Sequence, residues 1–553
     1  MFNNNKILVV IPAGGSSKII PRKNIRLLGT VPLIAYAIGI AKSSQYVDDV
    51  VVTTDDSETA LLSEKFGASV IRYSNDSQDA VSADGIIYNA MVQKEKLTLD
   101  EYDIVITLQP TSPLLKVSTL NRAIEKFDNF SVDSVITVVD DRHLSWGYDD
   151  DHQRYFPLYI KRLPRELLPK SFRETGALLA TRRSFVHPDS RLGTNIDIIE
   201  LSKAESINIV NREDWLIAEN YLQKRKIAVV VSAYDEIGSS HMDRCLSLVS
   251  KLVFHDVLFF IDETHELGIN MLNNFNYPHV IYDGEDELFA KLNQFNPHIV
   301  INDILDTSAE YIITLKNEGY FVVNFEDLGV GSEFADVVFD SLYEQDSSKD
   351  NIFSGYKYYI LKEEFYFQPQ KIITNEVDNV LIYFNRNDSN NLTEKVLNSI
   401  LATNYEGRIN IILGLHYPDK EGFIAKIRTN PSIQVYTNVS NISEFMFNSD
   451  LIFTSAGTAM YESCSLGIPT ICLSQDEREL THIFCSDKTG FVNMGLGENI
   501  EHEEIANQFV DLVNDYDRRL EMHEKMLSVD LKNGFDNIWA VIREEYRKFQ
   551  LRR

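Results

Sequence analysis

The chain has 553 residues, too many for one hydrophobic core, so its length predicts at least two domains. Its composition, 44% hydrophobic and 24% charged, is that of an ordinary globular protein and excludes a disordered or collagen-like chain. The net charge of -29 argues against a nucleic-acid partner, because a phosphate backbone would repel the protein, although a local basic loop can still bind a small phosphate compound.

The cysteines and the first residues predict a cytoplasmic protein. Cys245, Cys464, Cys472 and Cys485 have no paired metal-ligand spacing and are too few to staple so long a chain, so we expect reduced thiols. The first residues lead directly into KILVVI, which is shorter than the apolar region of a signal peptide. Because no run approaches the roughly 20 apolar residues of a membrane helix, no membrane span is expected.

Residues 1–223 alternate short β-branched runs with helical patterns. The strands KILVVI, DVVVTTD, EYDIVITLQP and DSVITVVD are separated by helical segments such as VPLIAYAIGIAK and SETALLSEKFG. This alternation predicts an α/β domain with a parallel sheet and helices on both faces. Ligands bind at the carboxyl ends of such strands, so the residues after VVI, VVTT and VITL are the first candidates for a site.

The loop IPAGGSSKIIPRKN, which follows the first strand, has the groups that a triphosphate needs. Gly14 and Gly15 would let backbone N–H groups approach a phosphate, while Lys18, Arg22 and Lys23 supply positive charge. A glycine turn flanked by solvated basic residues is the alternative interpretation of a lone glycine pair.

A longer series of motifs resembles the CMP-N-acetylneuraminate synthetases and their relatives for legionaminic and pseudaminic acids. The series runs in the family's order over about residues 5–222 and comprises IPAGGSSKIIPRKN, VVTTDD, SQDAVSADGIIYNAM, LQPTSPLL and PKSFRETGALLATRR. The resemblance implies a Rossmann-like nucleotide-diphospho-sugar-transferase domain. It also implies that the anomeric hydroxyl of a nonulosonic acid attacks the α-phosphate of CTP and that pyrophosphate leaves.

The same resemblance implies roles for individual residues. It assigns Lys18 and Lys23 to the triphosphate, with Lys23 as a catalytic residue. It assigns Ser82, on the segment that also carries Asp79, and Gln109 to the nucleotide and acceptor, and Arg173 to the sugar.

The metal positions depart from this family. Its signature SIDIDTPEDL carries two metal-binding aspartates, whereas the matching stretch here is SINIVNREDW, with Asn208 and Val210 at those positions. Hard cations select carboxylate and water oxygens, so neither residue is a good magnesium ligand. Magnesium is still the expected cofactor, because the charge of the leaving pyrophosphate must be neutralised. Its ligands are unknown, and Asp197 and Asp214 are either substitutes or ordinary capping and solvated residues.

Residues 224–553 begin the α/β pattern again and predict two lobes with a cleft between them. The strand KIAVVV, a glycine turn and the helix SSHMDRCLSLVSKL open the first lobe, residues 224–350, which continues through HIVIND, YFVVNF and ADVVFD. After the polar stretch EQDSSKDN, the runs NVLIYF, RINIIL, DLIFTSAGT and PTICLS predict the second lobe, residues 351–553.

Two motifs in these lobes resemble UDP-sugar hydrolases of pseudaminic acid synthesis and a spore-coat polysaccharide protein, which share the two-lobed glycosyltransferase-B plan. GSSHMDRCL matches GxGHxxRCL, which implies that His241 is a general base at the start of a helix. In DLIFTSAGTAMYESCSLGIPTICLSQDERELTH, Ser455, Gly457 and Thr458 would present N–H groups to a pyrophosphate and Glu462 would bind ribose hydroxyls. Without the flanking matches, a capping histidine and a capped helix are the ordinary interpretations.

Together these resemblances predict a bifunctional enzyme of nonulosonic acid synthesis. It would transfer CMP from CTP to a nonulosonic acid and hydrolyse a UDP-sugar, with glycosyl transfer as an alternative in the second half. Another alternative, favoured by the lost aspartates, keeps only the second half active and makes the first domain a degenerate nucleotide-binding module. A third makes the chain a non-catalytic partner in glycan assembly, although the retained Lys23, His241 and Glu462 argue against it. Relatives of the first domain are commonly dimers, so a homodimer is expected.

Overall fold

The protein forms two compact units, Met1–Lys224 and Arg225–Arg553. The computed structural model describes residues 2–15, 17–73, 82–234, 240–343, 349–384, 388, 390–414, 417–437, 439 and 441–552. Asp79, and Gly238 and Ser239 of the histidine motif, lie outside the described residues.

The first unit is an α/β domain with eleven strands and five helices among its described residues. The strands are β1 (Ile7–Pro12), β2 (Leu27–Leu28), β3 (Val31–Pro32), β4 (Asp49–Thr54), β5 (Ser69–Arg72), β6 (Ile104–Leu108), β7 (Ser134–Asp140), β8 (Trp146–Asp149), β9 (Arg154–Pro157), β10 (Phe172–Arg182) and β11 (Ile196–Glu200). The helices are α1 (Leu33–Ser43), α2 (Ser57–Lys65), α3 (Ala83–Thr98), α4 (Val117–Glu125) and α5 (Arg212–Gln223). The seven-stranded main sheet has the order β11-β7-β10-β6-β1-β4-β5.

The strand β10 makes this sheet mixed, so the prediction of a wholly parallel sheet is wrong. It lies between β6 and β7 and pairs antiparallel with both. The chain leaves β7 at the carboxyl end and, in the excursion to β10, forms the hairpin β8–β9 but no α-helix. Without a crossover to carry it to the other edge, the chain re-enters the sheet from the edge it left, which makes the pairing antiparallel.

The candidate phosphate loop lies where the strand order of the first unit reverses. The chain passes from β1 to β4 and β5 on one side, and then crosses to β6 on the other side of β1. Because the loops after β1 and β6 diverge from this point, a crevice opens between them at the carboxyl ends of the strands. These loops carry IPAGGSSKIIPRKN and LQPTSPLL.

The second unit has two lobes, each with a parallel sheet. The first lobe contains β12 (Lys226–Val231), β13 (Asp256–Asp262), β14 (His279–Tyr282), β15 (Ile299–Asp303), β16 (Phe321–Phe325), β17 (Val337–Asp340) and β18 (Ile352–Ser354), in the order β14-β13-β12-β15-β16-β17-β18. The second lobe contains β19 (Asn379–Tyr383), β20 (Arg408–Leu413), β21 (Ile433–Thr437), β22 (Leu451–Thr454), β23 (Thr470–Ser474) and β24 (Phe491–Leu496), in the order β21-β20-β19-β22-β23-β24.

Eleven helices surround these sheets among the described residues. They are α6 (Ser240–Ser250), α7 (Glu266–Asn274), α8 (Gly284–Phe295), α9 (Ala309–Asn317), α10 (Leu392–Leu401), α11 (Lys420–Ile427), α12 (Ile442–Phe447), α13 (Thr458–Leu466), α14 (His502–Asn514), α15 (Tyr516–Leu527) and α16 (Gly534–Arg552). The predicted fold class is confirmed: an α/β domain precedes a two-lobed α/β region.

The first lobe extends beyond residue 350, where the sequence placed its end. Strand β18 pairs with β17 and so belongs to the first sheet. The last helix, α16, returns to the same lobe, where Ile538, Ile542 and Tyr546 pack with the buried residues of β12 and β16. The apolar face of α16 needs a core to bury it, and composition alone does not say which lobe supplies that core.

Each lobe of the second unit has its own reversal of strand order, between β12 and β15 in the first lobe and between β19 and β22 in the second. The histidine motif follows β12 and the SAGT turn follows β22, so both motifs lie at positions where α/β sheets bind ligands. No helix in the described part of the chain is long and apolar enough to cross a membrane. All four cysteines are buried and free.

Candidate functional site

The loop after β1 passes close to the end of β4. A Cβ atom added at Gly15 would lie 2.9 Å from the Cβ atom of Asp56, so this position requires glycine. The Gly15 N–H donates to Asp55 Oδ1 at 2.7 Å, and Asn24 Nδ2 donates to the Gly14 carbonyl at 2.9 Å. The loop is therefore held by its own Asn24 and by the Asp55 carboxylate, which follows β4 and accepts from one of the loop amides.

The three basic residues of the loop differ in their surroundings. Lys18 is exposed. Arg22 has a φ of 58° and its guanidinium pairs with Glu58. Lys23 is half-buried and donates from Nζ to the Ile209 carbonyl at 3.1 Å, and burial lowers its pKa. A phosphate would compete with Glu58 for the Arg22 guanidinium. At Lys23 it would add a nearby negative charge, which opposes the effect of burial and favours the protonated lysine.

A cavity of about 300 Å³ opens beside the loop. Four of the predicted residues, Gly14, Gly15, Arg22 and Lys23, come together in its lining, while Lys18 lies outside it. The full lining consists of Gly14, Gly15, Arg22, Lys23, Asn24, Ile25, Asp56, Glu58 and Thr59.

The other predicted residues of the first unit lie on separate elements and outside this lining. Ser82 caps α3, where its Oγ accepts from the Gly85 N–H and donates to the Pro188 carbonyl, both at 3.0 Å. Gln109 follows β6 and is half-buried. Arg173 lies on β10, with its side chain 61% exposed and its Nε 3.7 Å from Asp141.

The positions of the two family aspartates supply no carboxylate. Asn208 donates from Nδ2 to the Thr175 carbonyl at 3.4 Å, and Val210 is 55% exposed. Among the described residues, no group of three His, Cys, Asp or Glu side chains could hold a metal ion. The residues at these positions therefore do not fit a magnesium ion.

The two proposed substitutes have structural partners. Asp214 is the third residue of a capping box at the start of α5 and accepts from the Val210 and Asn211 N–H groups at 2.9 and 3.1 Å. Asp197 pairs with Lys126 at 2.9 Å. Both carboxylates already have donors, which accounts for their presence without a metal role.

In the second unit, His241 lies in the first turn of α6 and contacts the end of a neighbouring strand. Its Nδ1 is 2.5 Å from Oδ1 of Asp303, the last residue of β15 and 62 positions away in the sequence. His241 is 8% exposed and Asp303 is fully buried. Because the carboxylate engages Nδ1, Nε2 is the ring nitrogen that can exchange a proton with a ligand.

Arg244 binds the same carboxylate from one turn further along α6. Its Nε and Nη2 lie 2.8 and 2.7 Å from the two oxygens of Asp303, the bidentate geometry of a strong ion pair. Its Nη1 is 3.4 Å from Glu326. Burial alone would raise the pKa of Asp303, but Arg244 and His241 hold it well below its usual range. The Asp303 carboxylate is thus a fixed negative charge that orients the imidazole.

A further buried carboxyl group adjoins this cluster. Asp340 ends β17 and is fully buried. Burial, together with the neighbouring Glu326 and Asp327, raises the pKa of Asp340 to about 8. Asp340 is therefore protonated at neutral pH, unlike Asp303.

The SAGT turn of the second lobe has two ends in different surroundings. At its first end, Glu479 binds Ser455 and the Ala456 backbone, and burial raises the pKa of Glu479 to about 7. At its second end, Gly457 is the N-cap of α13, and no side chain in the described part of the chain caps this helix. The amides that remain for an anion are thus those at Gly457 and Thr458.

Glu462, one turn into α13, faces a lysine from the connection between the lobes. It is 2% exposed, and its Oε1 lies 3.0 Å from Lys362 Nζ. The same ammonium group is 3.7 Å from Asp243 on α6. The role of Glu462 in binding ribose stays a prediction, and in this structure its carboxylate is directed at Lys362.

A cavity between the two lobes joins these features. It is lined by Ser240, Asp243, Arg244, Tyr359, Ile360, Lys362 and Thr458. One end of α6, one end of α13 and the interlobe connection therefore meet around one small space of about 20 Å³, the size of a single water site.

Sequence analysis found His241 but did not single out Asp303, Arg244 or Lys362. Asp303 closes the buried run HIVIND, and its place at the carboxyl end of a strand is a signal that could have found it. Arg244 lies within the histidine motif. Lys362 carries no such signal, because a single lysine in a connecting segment is normally solvated.

Comparisons with known proteins give matches for the first unit. Residues 8–147 match a family described as Cytidylyltransferase. The chain is 29% identical over 239 residues to the CMP-N,N'-diacetyllegionaminic acid synthase of Legionella pneumophila, covering 41% of this chain and 100% of that protein. It is 40% identical over 126 residues to the pseudaminic acid cytidylyltransferase of Campylobacter jejuni, covering 22% of this chain and 53% of that protein.

A third relative is an uncharacterized protein of Methanocaldococcus jannaschii. It is 28% identical to this chain over 271 residues, which make up 46% of this chain and 56% of that protein. The chain thus spans little more than half the length of two of these three relatives, and the whole length of the third.

Proposed function

We propose that the first unit transfers CMP from CTP to a nonulosonic acid. The observation that carries this proposal is the match of residues 8–147 to a cytidylyltransferase family, with the glycine loop and its cavity at the reversal of strand order. Two relatives with this chemistry in their names support the substrate class.

In this reaction the anomeric oxygen forms a bond to the α-phosphorus of CTP, and the bond to the bridging oxygen breaks as pyrophosphate leaves. Lys23, Lys18 and the loop amides would stabilise the charge that develops on the leaving group. Magnesium would enter as the counter-ion of CTP, as part of the substrate, since Asn208 and Val210 do not fit it.

Pyrophosphate release from CTP and magnesium, measured with a panel of nonulosonic acids, tests this proposal. We expect release by the wild type, a large loss in Lys23→Ala and no loss in Lys65→Ala, a matched change at an exposed lysine of α2. Absence of release with every acid would leave the first unit as a degenerate nucleotide-binding module.

For the second unit we propose hydrolysis of a UDP-linked acetamido sugar, and the carrying observation is the His241–Asp303 pair beside the cavity between the lobes. A water oxygen would attack the anomeric carbon, its proton passing to His241 Nε2, while the bond from that carbon to the UDP oxygen breaks. UDP would leave with the electron pair toward the start of α13. In glycosyl transfer, a sugar hydroxyl would replace the water.

UDP release from acetamido UDP-sugars, with and without acceptor sugars, tests the second unit. Turnover should be lost in His241→Ala and retained in His279→Ala, a histidine at the start of the edge strand β14. Equal turnover in wild type and His241→Ala would rule out the proposed base. If neither unit turns over any substrate, the non-catalytic alternative remains.

We also propose that two copies associate through the hairpin β8–β9. Its aromatic side chains are exposed to solvent, Trp146 by 55% and Tyr155 by 75%, and Leu158, directly after the hairpin, is 64% exposed. A two-stranded hairpin is marginal by itself in water, and an exposed apolar patch marks an interaction surface. Sedimentation should give a dimer for the wild type and a monomer for Tyr155→Asp; a monomeric wild type would contradict this.

A cytoplasmic location stays a prediction from the sequence.

A further inference from the structure

The positions that hold a metal in the resembling family carry no charge in this chain, since Asn208 is an amide and Val210 is apolar. Two aspartates that bind a magnesium ion have no net charge, and neither do an amide and a valine without metal. Two aspartates without metal would instead repel a triphosphate, because like charges at close range oppose each other. The two residues of this chain therefore lack both the metal ligands and the negative charge that a metal would neutralise.

Neighbouring parts of the first unit fix this segment of the chain without a metal. The Ile209 side chain is fully buried, and the Ile209 N–H donates to the Thr111 carbonyl at 2.8 Å. Asn208 Nδ2 donates to the Thr175 carbonyl at 3.4 Å. A carboxylate at position 208 would place a second acceptor beside that carbonyl oxygen, where a donor or a cation is favourable. The amide thus suits an arrangement in which no metal is bound.

The ammonium group of Lys23 lies beside these two positions. Its Nζ donates at 3.1 Å to the carbonyl of Ile209, the residue between Asn208 and Val210. This acceptor is neutral. The one described carboxylate whose charge acts on Lys23, that of Asp214, forms no ion pair with it and already accepts from two N–H groups at the start of α5. The charge of Lys23 therefore remains available to an anion.

Lys23 also lines the cavity beside the glycine loop, together with Gly14 and Gly15. The volume of this cavity, about 300 Å³, lies within the range of ligand pockets. A lysine acts on phosphates as a compact point charge with three donors, so one hydrogen bond to Ile209 leaves others for a ligand. A triphosphate against the loop would therefore meet the Lys23 ammonium next to the segment where the family places its metal.

We propose that the first unit binds CTP without a bond from the protein to a metal ion, and that the Lys23 ammonium is the cation at the family's metal position. The inference rests on the proposed CMP transfer, and any magnesium arrives as part of the nucleotide. Two explanations compete with it. Either other residues of the protein bind a metal, or Lys23 only ties the glycine loop to the Ile209 carbonyl.

Calorimetry of CTP binding to the full-length protein tests the first competing explanation. The affinity for CTP should weaken by no more than about 3-fold when EDTA replaces magnesium. Tetraammine-cobalt(III) CTP, in which ammonia fills the positions that a protein ligand would take, should bind within about 3-fold of magnesium CTP. Loss of CTP binding in EDTA, or a strong preference for magnesium CTP over the cobalt complex, would overturn the proposal and leave the CMP transfer standing.

Lys23→Gln and Lys23→Met test the second competing explanation. Glutamine keeps a donor for the Ile209 carbonyl but has no charge, and methionine has neither. Both variants should bind CTP about 10- to 100-fold more weakly, the loss expected for one hydrogen bond to a charged group, and bind cytidine, which lacks the triphosphate, as before. CTP affinity retained in Lys23→Gln, or equal weakening of CTP and cytidine, would overturn the role of Lys23. Lys65→Met, at an exposed lysine of α2, should change neither ligand.

Asn208→Asp/Val210→Asp should make CTP binding depend on metal. In EDTA its two carboxylates oppose the triphosphate, so this double variant should bind CTP at least about 10-fold more weakly in EDTA than in magnesium. The same small difference as in the wild type would overturn the proposal, because carboxylates at these positions would then not act on the nucleotide. A wild type that binds CTP in neither buffer would overturn the proposed transfer as well. CTP binding without pyrophosphate release with any acid would overturn the transfer alone.

Discussion

The charged residues of the two candidate sites differ in solvent exposure and in how they are paired. In the first unit, the basic residues of the loop lie at or near the surface, around an open cavity, and the positions that would hold a metal carry an amide and a valine. In the second unit, His241 and Asp303 are buried, and the Arg244 side chain, 9% exposed, binds the same carboxylate. The first site thus depends on charge that its substrate must bring, and the second on charge arranged by the fold.

This difference shows that a matching motif predicts the residues of a site but not the charged groups that surround them. The loop IPAGGSSKIIPRKN keeps Gly15, Lys18 and Lys23 of the family string but has Gly14 where that string has an arginine. The proposed transfer also needs an electrostatic environment that residues far along the chain supply. In the second unit that environment is present, because Asp303 and Arg244 complete the histidine motif.

The largest effect should come from Asp303→Asn, which tests the internal arrangement of the second unit. The amide keeps the shape but loses the charge that orients His241, so kcat for UDP release should fall about 100- to 10,000-fold, the range of general-base catalysis. UDP affinity should be retained, because Asp303 contacts the imidazole and not the nucleotide.

The matched control is Asp262→Asn, at the end of β13 in the same sheet, where the carboxylate accepts from Thr264. It should keep full turnover. If Asp303→Asn turned over as fast as this control, the buried pair would have no part in the reaction and the contrast between the units would disappear.

Asp340→Asn should stabilise the protein in a pH-dependent manner. Its folded pKa of about 8 lies above the unfolded value of about 3.9, so the folded state holds the proton more tightly and loses stability as the pH rises between these values. The neutral amide removes this cost. Thermal unfolding should show a gain that grows with pH and reaches on the order of 5 kcal/mol near pH 8.

The exposed Asp350→Asn serves as control for this series and should show no gain that grows with pH. A constant difference between Asp340→Asn and wild type from pH 5 to pH 8 would contradict the raised pKa of Asp340. The same pH series gives the behaviour of Asp303 in the opposite direction: its lowered pKa stabilises the fold above about pH 4, and this contribution is lost on acidification.

The smallest effect concerns the metal positions of the first unit. In Asn208→Asp/Val210→Asp, two carboxylates return to the positions that hold metal in the resembling family. At limiting magnesium, pyrophosphate release should rise about 10-fold, since carboxylates are the ligands that magnesium selects. Titration of magnesium against the initial rate measures this change.

Leu216→Asp adds a carboxylate on the exposed face of α5 and should leave the magnesium dependence unchanged. An identical magnesium dependence in wild type and the double variant would mean that the first unit binds its metal elsewhere. Asp214→Ala discriminates further: as a lost cap it should cost about 1 kcal/mol of stability and leave the magnesium dependence alone.

Much of the fold was accessible from local pattern. The buried runs KILVVI, HIVIND and NVLIYF became β1, β15 and β19, and short apolar, β-branched stretches bounded by turns are typical of central strands in a sheet covered on both faces. The direction of β10 and the return of α16 to the first lobe were not accessible, since each depends on where the chain re-enters a sheet or finds a core.

The candidate sites divide in the same way. Gly15, Lys23, His241 and the SAGT turn belong to short strings whose chemistry can be read directly from the residues. The partners of these residues lie far away in sequence: Asp303 is 62 positions from His241 and Ile209 is 186 positions from Lys23.

The sequence by itself determined the fold class, the alternation of strands and helices, and the loops in which ligands would bind, because apolar periodicity and glycine placement act over a few neighbouring residues. Only the tertiary structure decided which carboxylate orients His241, that Glu462 faces Lys362, and that Asp214 caps a helix. Those outcomes depend on burial and on distances between separate elements, and sheet order sets both after the chain has folded.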